Sequence, residues 1–435
     1  MANILMTVWP IETHLTPFVV LGKALRARGH DVAFYTGEQA RWQLSGEGFR
    51  TFEFRAVDKR HSDANPGAAS SQNLGPRATR KMWHDFLLGS VSGQIRDLDA
   101  IWEEWVPDAL ICDVTMWGPI LVVQETRQVP LALFAHTAYC LLPGRNNPAP
   151  GLSLPRPETG RARLTARLLT WGMNRVTAAI PREANRIRRE HGLEPFAGTV
   201  IDFMGRMPLH LVPSAPEFDY ERDDLPGGVK YVGPGFWEEH GREPAPHWTK
   251  WLRTSRPRVV VLEEAHYAED GFLLHRAAEA LAGHDAEVIL VAGQGRELSQ
   301  FNLKTHAANV HLMGWTPLRQ ALPPASLVVA HGNSETVLAA LAQGTPMVIV
   351  PRMLEQPQVA WRLAACGAGV RLPMRECSPQ RLRAAVDRVL ETPRFAHNAQ
   401  RMRAALAQRG GPARAAELVE EMAPALPINL KTYSA

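Results

Sequence analysis

The sequence predicts an α/β protein made of two successive doubly wound halves, each built on a parallel sheet. Three observations predict it. Short apolar runs alternate with helical patterns from residue 3 to 213. A polar, Pro/Gly-rich stretch at 214–250 then breaks the pattern, and a second alternating series runs from 258 to 373. Strands separated by helices imply βαβ units and parallel pairing.

The elements follow in chain order. Residues 3–9 (NILMTVW) read as a buried strand. Thr16 and Pro17 resemble a cap and first turn for the helix ending near Arg28-Gly29, which leaves His14 in the preceding loop. Residues 31–37 and 49–54 are the second and third strands, and 109–113, 130–136 and 208–213 are later ones. Residues 60–80 and 141–160 read as long loops. The Arg-rich amphipathic stretch at 161–189 reads as a solvated helix face or an acceptor-side wall, in preference to a membrane contact. Beyond the break, strands are expected at 258–264, 287–293, 309–314, 326–332, 346–351 and 369–373. Helices close the chain near 379–390, 394–408 and 413–422. The expected division is a first domain over 1–215, a linker over 216–250 and a second domain over 251–412. A C-terminal helix and tail (413–435) would pack back on the first domain. Each half should offer a ligand crevice at the carboxyl ends of its strands.

Composition narrows the function. The 435 residues carry 48 Lys and Arg against 44 Asp and Glu, a net charge of +4. That excess is too mild for a nucleic-acid partner but suits an anionic ligand held by a few local groups. Cys112, Cys140, Cys366 and Cys377 form no C-x-x-C pair and no zinc spacing, so no metal is expected and the thiols read as reduced. The N-terminus lacks a basic region before its apolar run, and no apolar stretch reaches ~18 residues. A cytoplasmic monomer or homodimer is the expectation.

The most informative segment runs from His331 to Leu363. A buried strand ends at Ala330, His331-Gly332 make the turn, and Asn333 or Ser334 begins a helix. Free N–H groups and the positive dipole end at a helix start attract phosphate, and Gly332 allows close backbone approach. Thr336 adds a hydroxyl in the first turn, and His331 can donate to a diphosphate oxygen. A second strand, PMVIVP, leads to Glu355 and Gln356, a carboxylate and an amide able to grip sugar hydroxyls. Glu355 could equally serve only to favour a helix N-terminus. His14 can take a proton from an acceptor hydroxyl near neutral pH if a second group orients its ring. Met82, Trp83, Phe86, Trp117 and Leu141 could wall an apolar acceptor pocket or belong to the core.

The segment HGNSETVLAALAQGTPMVIVPRMLEQ resembles the donor-binding signature of family 1, inverting, GT-B-fold glycosyltransferases: H-G-G-x-G-T-x-x-E-A-L, then G-x-P, then P-x-x-x-D-Q. THLTPFVVLGKALRARGHDV resembles the family's opening, and KYVGP its linker exit. The resemblance implies two Rossmann-like domains facing across a cleft, with acceptor bound by the first and nucleotide-sugar by the second. It implies His14 as catalytic base and Asp113 as its partner. It further implies Trp315 and Thr316 against the nucleotide base, and His331, Gly332, Asn333, Ser334 and Thr336 on the diphosphate. Glu355 and Gln356 would hold the sugar. The implied reaction moves a sugar from dTDP or UDP to a small, largely hydrophobic acceptor, with inversion and with no resident cofactor. Epimerisation or hydrolysis on the same fold, or a catalytically silent partner protein, are the alternatives.

Departures from the pattern are informative. Asn333 and Glu335 replace two glycines, and Leu318 replaces a polar residue. Ala339 replaces the glutamate that grips ribose hydroxyls, which suits a deoxyribose donor. Glu263 and Glu264 replace a small Gly-Ser or Gly-Thr turn that faces the diphosphate. Two carboxylates there would repel phosphate, so at least one is expected to pair with Arg or Lys or to contact a polar ligand group.

Overall fold

A computed structural model describes residues 1–59, 84–135, 142, 154–155, 157, 159–220, 222, 224–236, 255–263, 271–293, 296–303, 307–322, 325–352 and 355–422. Two parallel sheets organise it. The first has seven strands in the order β3-β2-β1-β4-β5-β6-β7, and the second six in the order β10-β9-β8-β11-β12-β13. The two-halved α/β expectation is therefore met.

In the first half, β1 (Asn3–Thr7) leads into α1 (Glu12–Ala27), followed by β2 (Asp31–Thr36), α2 (Arg41–Gly46) and β3 (Arg50–Glu53). After α3 (Val91–Glu104) come β4 (Ala109–Asp113) and β5 (Leu131–Phe134). Helices α4 (Gly160–Val176), α5 (Ala179–Glu190) and α6 (Val200–Met204) precede β6 (Leu209–Val212) and β7 (Val229–Tyr231). Strand β7 falls where the sequence suggested only a linker exit. Its three residues are half-buried or exposed, so no apolar run announces it.

The second half runs β8 (Arg258–Leu262), α7 (Phe272–Leu281), β9 (Glu287–Val291), β10 (Val310–Met313) and β11 (Leu327–Ala330). Helix α8 (Ser334–Gln343), β12 (Met347–Ile349), α9 (Gln356–Cys366) and β13 (Gly369–Arg371) follow. Helices α10 (Pro379–Glu391), α11 (Pro393–Ala407) and α12 (Gly411–Met422) close the described chain.

Parallel strands covered on both faces read as continuous apolar runs, and β4 is buried along its whole length. Alternate residues serve opposite layers. Ile4 and Met6 of β1 join Phe18 and Leu25 of α1 in one cluster, while Leu5 joins Tyr35 and Leu110 in another. Each fully buried side chain of this kind contributes roughly 1.5–3 kcal/mol. The cluster holding Leu5 continues into Val260, Val328 and Ile349 of the second sheet, so one apolar body spans both halves.

Helix α12 crosses back to the first half. Its Ala415, Leu418 and Val419 lie in the cluster of Phe18 and Leu25, and Glu420 pairs with Arg28 at 2.6 Å and His30 at 2.8 Å. Among the described residues, no helix is long and apolar enough to cross a membrane.

Candidate active site

Helix α1 starts earlier than the Thr16-Pro17 pair suggested. His14 N donates to Ile11 O at 2.9 Å, so His14 stands in the first helical turn and not in a loop. Thr16 is no cap; its hydroxyl donates back to Glu12 O at 2.9 Å, and Pro17 lies inside the helix. Strand β1 pairs with both β2 and β4, so the chain order reverses between β1 and β4. At such a switch point the strand ends diverge and leave a crevice. His14 follows β1, and Asp113 ends β4.

The two side chains meet across that crevice. His14 Nδ1 lies 2.6 Å from Asp113 Oδ2, with Asp113 fully buried and His14 14% exposed. An ionised carboxylate only accepts, so the proton sits on Nδ1 and the lone pair on Nε2. Asp113 is fixed in turn: its Oδ1 accepts from Thr115 N at 2.8 Å and Thr115 Oγ1 at 2.6 Å. Thr115 escaped notice in the sequence. Its spacing, two residues after an Asp at a strand end, is the signal of a side chain closing its own turn.

The second half repeats the device with the partners exchanged. Here the order reverses between β8 and β11. Glu263 follows β8 and His331 follows β11. Glu263 Oε1 lies 2.9 Å from His331 Nε2, and both residues are buried. His331 Nδ1 donates to Val350 O at 2.9 Å. Glu263 Oε2 accepts from Leu273 N at 2.8 Å and Leu274 N at 3.1 Å in the first turn of α7. With N–H groups on one oxygen and a carbonyl holding Nδ1–H, the set fits an imidazolium paired with a carboxylate. The expected Arg or Lys partner of Glu263 is therefore replaced by a histidine and a helix start. Both ring nitrogens of His331 already have protein partners, so a bond to a diphosphate oxygen would require one to be exchanged. Glu264 lies outside the described residues.

Gly332 is demanded by the turn itself. Its φ is +101°, and a Cβ there would sit 2.7 Å from Ile349 Cγ2. Asn333 is the residue before α8, so the helix begins at Ser334; Asn333, Ser334 and Thr336 are all buried. Gln356 Nε2 donates to Asn333 Oδ1 at 3.0 Å, and its Oε1 accepts from Arg352 N at 2.9 Å. Gln356 thus braces the turn after β11 against the end of β12. Trp315 is half-buried beside buried Thr316, whose hydroxyl donates to Gly314 O at 3.2 Å.

Glu355 is half-buried and immediately precedes α9. Burial pushes its carboxyl up to about 7, against the pull of a backbone hydrogen bond. An acid whose proton is held more tightly folded than unfolded loses folding free energy as pH rises from its ordinary range, about 4.3, towards its folded value. Glu355→Gln is therefore expected to flatten the fall in melting temperature over that window and to raise it above the upper end. Thermal scans of both chains across the window would show this; identical pH dependence would contradict it.

The expected acceptor wall is only partly described. Met82, Trp83 and Leu141 lie outside the described residues. Trp117 is 2% exposed and its Nε1 donates to Val114 O at 3.1 Å, so it is core and no accessible wall. Phe86 is half-buried and stacks on Trp9 with ring centroids 4.8 Å apart. The apolar pattern alone could not separate core from wall.

Two Rossmann-like parallel sheets sharing one apolar cluster are the architecture of the GT-B fold, a class of sugar-transferring enzymes. Comparisons with known proteins agree. Residues 275–422 match the family described as Erythromycin biosynthesis protein CIII-like, C-terminal domain. The chain is 30% identical over 425 residues to 4'-demethylrebeccamycin synthase of Lentzea aerocolonigenes, covering 96% of this chain and 99% of that protein. It is 26% identical to O-mycaminosyltylonolide 6-deoxyallosyltransferase of Streptomyces fradiae, covering 94% of each. Among solved structures, the glycotransferase of kitacinnamycin superposes with a TM-score of 0.74 at 22% identity, covering 97% of this chain and 99% of that one. Spinosyn rhamnosyltransferase SpnG complexed with thymidine diphosphate gives 0.68 at 21%, covering 97% and 100%. The chain belongs to the EryCIII-like glycosyltransferases of antibiotic biosynthesis. It is a glycosyltransferase, and the silent-partner and epimerase or hydrolase alternatives are set aside.

Proposed function

We propose that the chain transfers a sugar from a nucleoside diphosphate, thymidine diphosphate in preference to uridine diphosphate, to a hydroxyl of a small, largely apolar acceptor with inversion at the anomeric carbon. The observation that carries this reading is the His14–Asp113 pair at 2.6 Å. His14 Nε2 takes the acceptor proton, and the new O–C bond forms as the bond to the diphosphate breaks on the opposite face. Asp113 orients the ring and balances the imidazolium, as in the histidine–carboxylate half of a hydrolase triad. No protein nucleophile intervenes, so one displacement inverts configuration. Charge on the departing diphosphate falls at the start of α8, where helix N–H groups and Thr336 stand. Glu355 and Gln356 at the start of α9 contact the sugar, and Trp315 and Thr316 the base.

Two supports favour thymidine. Ala339 on α8 is a buried methyl where a ribose-gripping carboxylate would stand. Two structural neighbours, SpnG and SsfS6, are complexes with thymidine diphosphate. Proton NMR of the product, starting from a donor of known anomeric configuration, tests the stereochemistry: the coupling constant at the anomeric proton should report the opposite configuration. A retained anomer would overturn the single-displacement reading. Calorimetry should give tighter binding of thymidine diphosphate than of uridine diphosphate, and the reverse order would remove the donor assignment.

A further inference from the structure

A second concave site lies at the outer edge of the second sheet. Strand β13 is the edge strand there, with β12 between it and β11, so the site stands apart from the β8–β11 crevice. A cavity of about 370 Å³ opens between β13 and helices α9, α10 and α11, a size within the range of small-molecule sites, roughly 300–1,000 Å³. Trp361 of α9, Arg371 of β13 and Arg388 of α10 line it, with Thr392, Arg394 and Phe395 around the start of α11. Three guanidiniums thus share one space, and no carboxylate lines it. Among the described residues, none of the three makes a hydrogen bond or an ion pair. Arg371 stacks 4.6 Å above the Trp361 ring, and Arg388 5.8 Å above that of Phe395. Stacking occupies the faces of a guanidinium and leaves its in-plane N–H donors uncommitted. Arg371 Nε and Trp361 Nε1 are buried with no hydrogen-bond partner among the described residues. Burial lowers the Arg371 guanidinium below its ordinary range; the charge of Glu376 opposes this and that of Arg375 adds to it. Glu376 is itself engaged by Arg381 at 2.7 Å.

We propose that this cavity is a binding site for a small phosphate-bearing anion of at least two charges, separate from the donor site. Three positive charges around one space repel one another, and packing against apolar rings removes part of the water that would screen them. A bound anion relieves both costs. Guanidinium forks match phosphate oxygens bidentately, and such charge-assisted bonds are roughly twice as strong as neutral ones. A singly charged ion would leave the cluster strongly positive, so a phosphate or diphosphate group is favoured over chloride. Thr392 adds a hydroxyl: it precedes α11 and makes no side-chain cap bond there. The anion would tie β13 to α10 and α11, so its binding stabilises the folded chain by mass action.

Arg388 and Arg394 are exposed, so changing both, Arg388→Gln with Arg394→Gln, removes two charges at little cost to folding. Calorimetry and thermal scans with inorganic pyrophosphate, on the full-length wild type and this double variant, read the site. The wild type should bind pyrophosphate and melt higher in its presence. The variant should bind it at least about tenfold more weakly, while its sugar-transfer rate stays at the wild-type level. Equal pyrophosphate affinity in the two chains would overturn the proposal, since binding would then belong elsewhere, the donor crevice included. Equal stabilisation of the wild type by sodium chloride at the same ionic strength would overturn it as simple screening. Binding of hexaglutamate with none of pyrophosphate would overturn it in favour of an acidic protein partner. A measurement on the wild type alone covers a variant that fails to fold. Pyrophosphate should protect Arg388 and Arg394 from phenylglyoxal, read by peptide mass spectrometry, while exposed Arg163 of α4 stays reactive. Equal modification of all three with and without pyrophosphate would also overturn the proposal.

Discussion

His14→Ala is expected to lower sugar transfer by roughly 10²–10⁴-fold, the usual worth of a general base, while leaving nucleoside diphosphate affinity nearly unchanged. The division of labour follows from position. His14 sits on α1 in the first half, and the proposed phosphate contacts sit on α8 in the second. Asp113→Asn should fall in the same direction for a separate reason. An amide NH₂ facing Nδ1 would favour the other tautomer, with the proton on Nε2, and the atom that must accept the acceptor's proton would then already carry one. Thr115 keeps one carboxylate oxygen occupied, so the remaining oxygen has a single orientation towards the ring. Steady-state transfer rates, read beside calorimetric affinity for the donor nucleotide, decide the matter. A His14→Ala enzyme that turns over near the wild-type rate would remove His14 from the mechanism.

Most of the sheet architecture was legible in the sequence because buried parallel strands are short continuous apolar runs. ALICD at 109–113 and the run that supplies Leu327–Ala330 are examples, and the structure places strands on both. The misreadings have physical causes. Thr16-Pro17 carries the composition of a helix start, yet the helix begins at Glu12 because Ile11 O already accepts from His14 N and Leu15 N. Strand β7 has no apolar run because it is an edge strand with only one sheet neighbour. Trp117 could be read as wall or as core, because aromatic residues serve both and burial is set by tertiary contacts that one segment does not reveal; its 2% exposure places it in the core. The candidate site divides in the same way. His14 and Asp113 were singled out by the family resemblance together with their places after the first strand and at the end of ALICD, and the strand order, which the sequence did not reveal, brings the two side chains within 2.6 Å. The partner of Glu263 was not legible, because it lies 68 residues away and is joined only by the pairing of β8 with β11.

Asp219→Ala should be the most damaging change to stability, costing about 3–5 kcal/mol, the range for leaving a buried charge without its partner. Asp219 lies just beyond β6, and its carboxylate gathers groups from distant parts of the chain. Its Oδ1 accepts from Arg362 Nε at 2.8 Å and from Tyr220 N at 2.8 Å. Its Oδ2 lies 2.9 Å from Arg222 Nη2 and accepts from Tyr231 Oη at 2.6 Å. The side chains of Asp219, Arg222 and Arg362 are all inaccessible, and the Arg362 guanidinium also stacks 4.4 Å above the Tyr220 ring. Burial alone would raise the Asp219 carboxyl, but Arg362 and Arg222 outweigh it and hold the carboxyl below the ordinary aspartate range. The sign of the pH effect follows. A depressed acid adds stability that is fully present above the ordinary aspartate value, about 3.9, and is lost as pH falls towards the folded value. Arg362 is on α9, whose start carries Glu355 and Gln356, so the cluster also fixes that helix against the first half. Urea unfolding near neutral pH should show the loss, with the wild-type and variant stabilities converging as the medium is acidified. An Asp219→Ala chain that unfolds at the wild-type urea midpoint, with an unchanged acid limb, would show that the cluster contributes nothing to holding the two halves together.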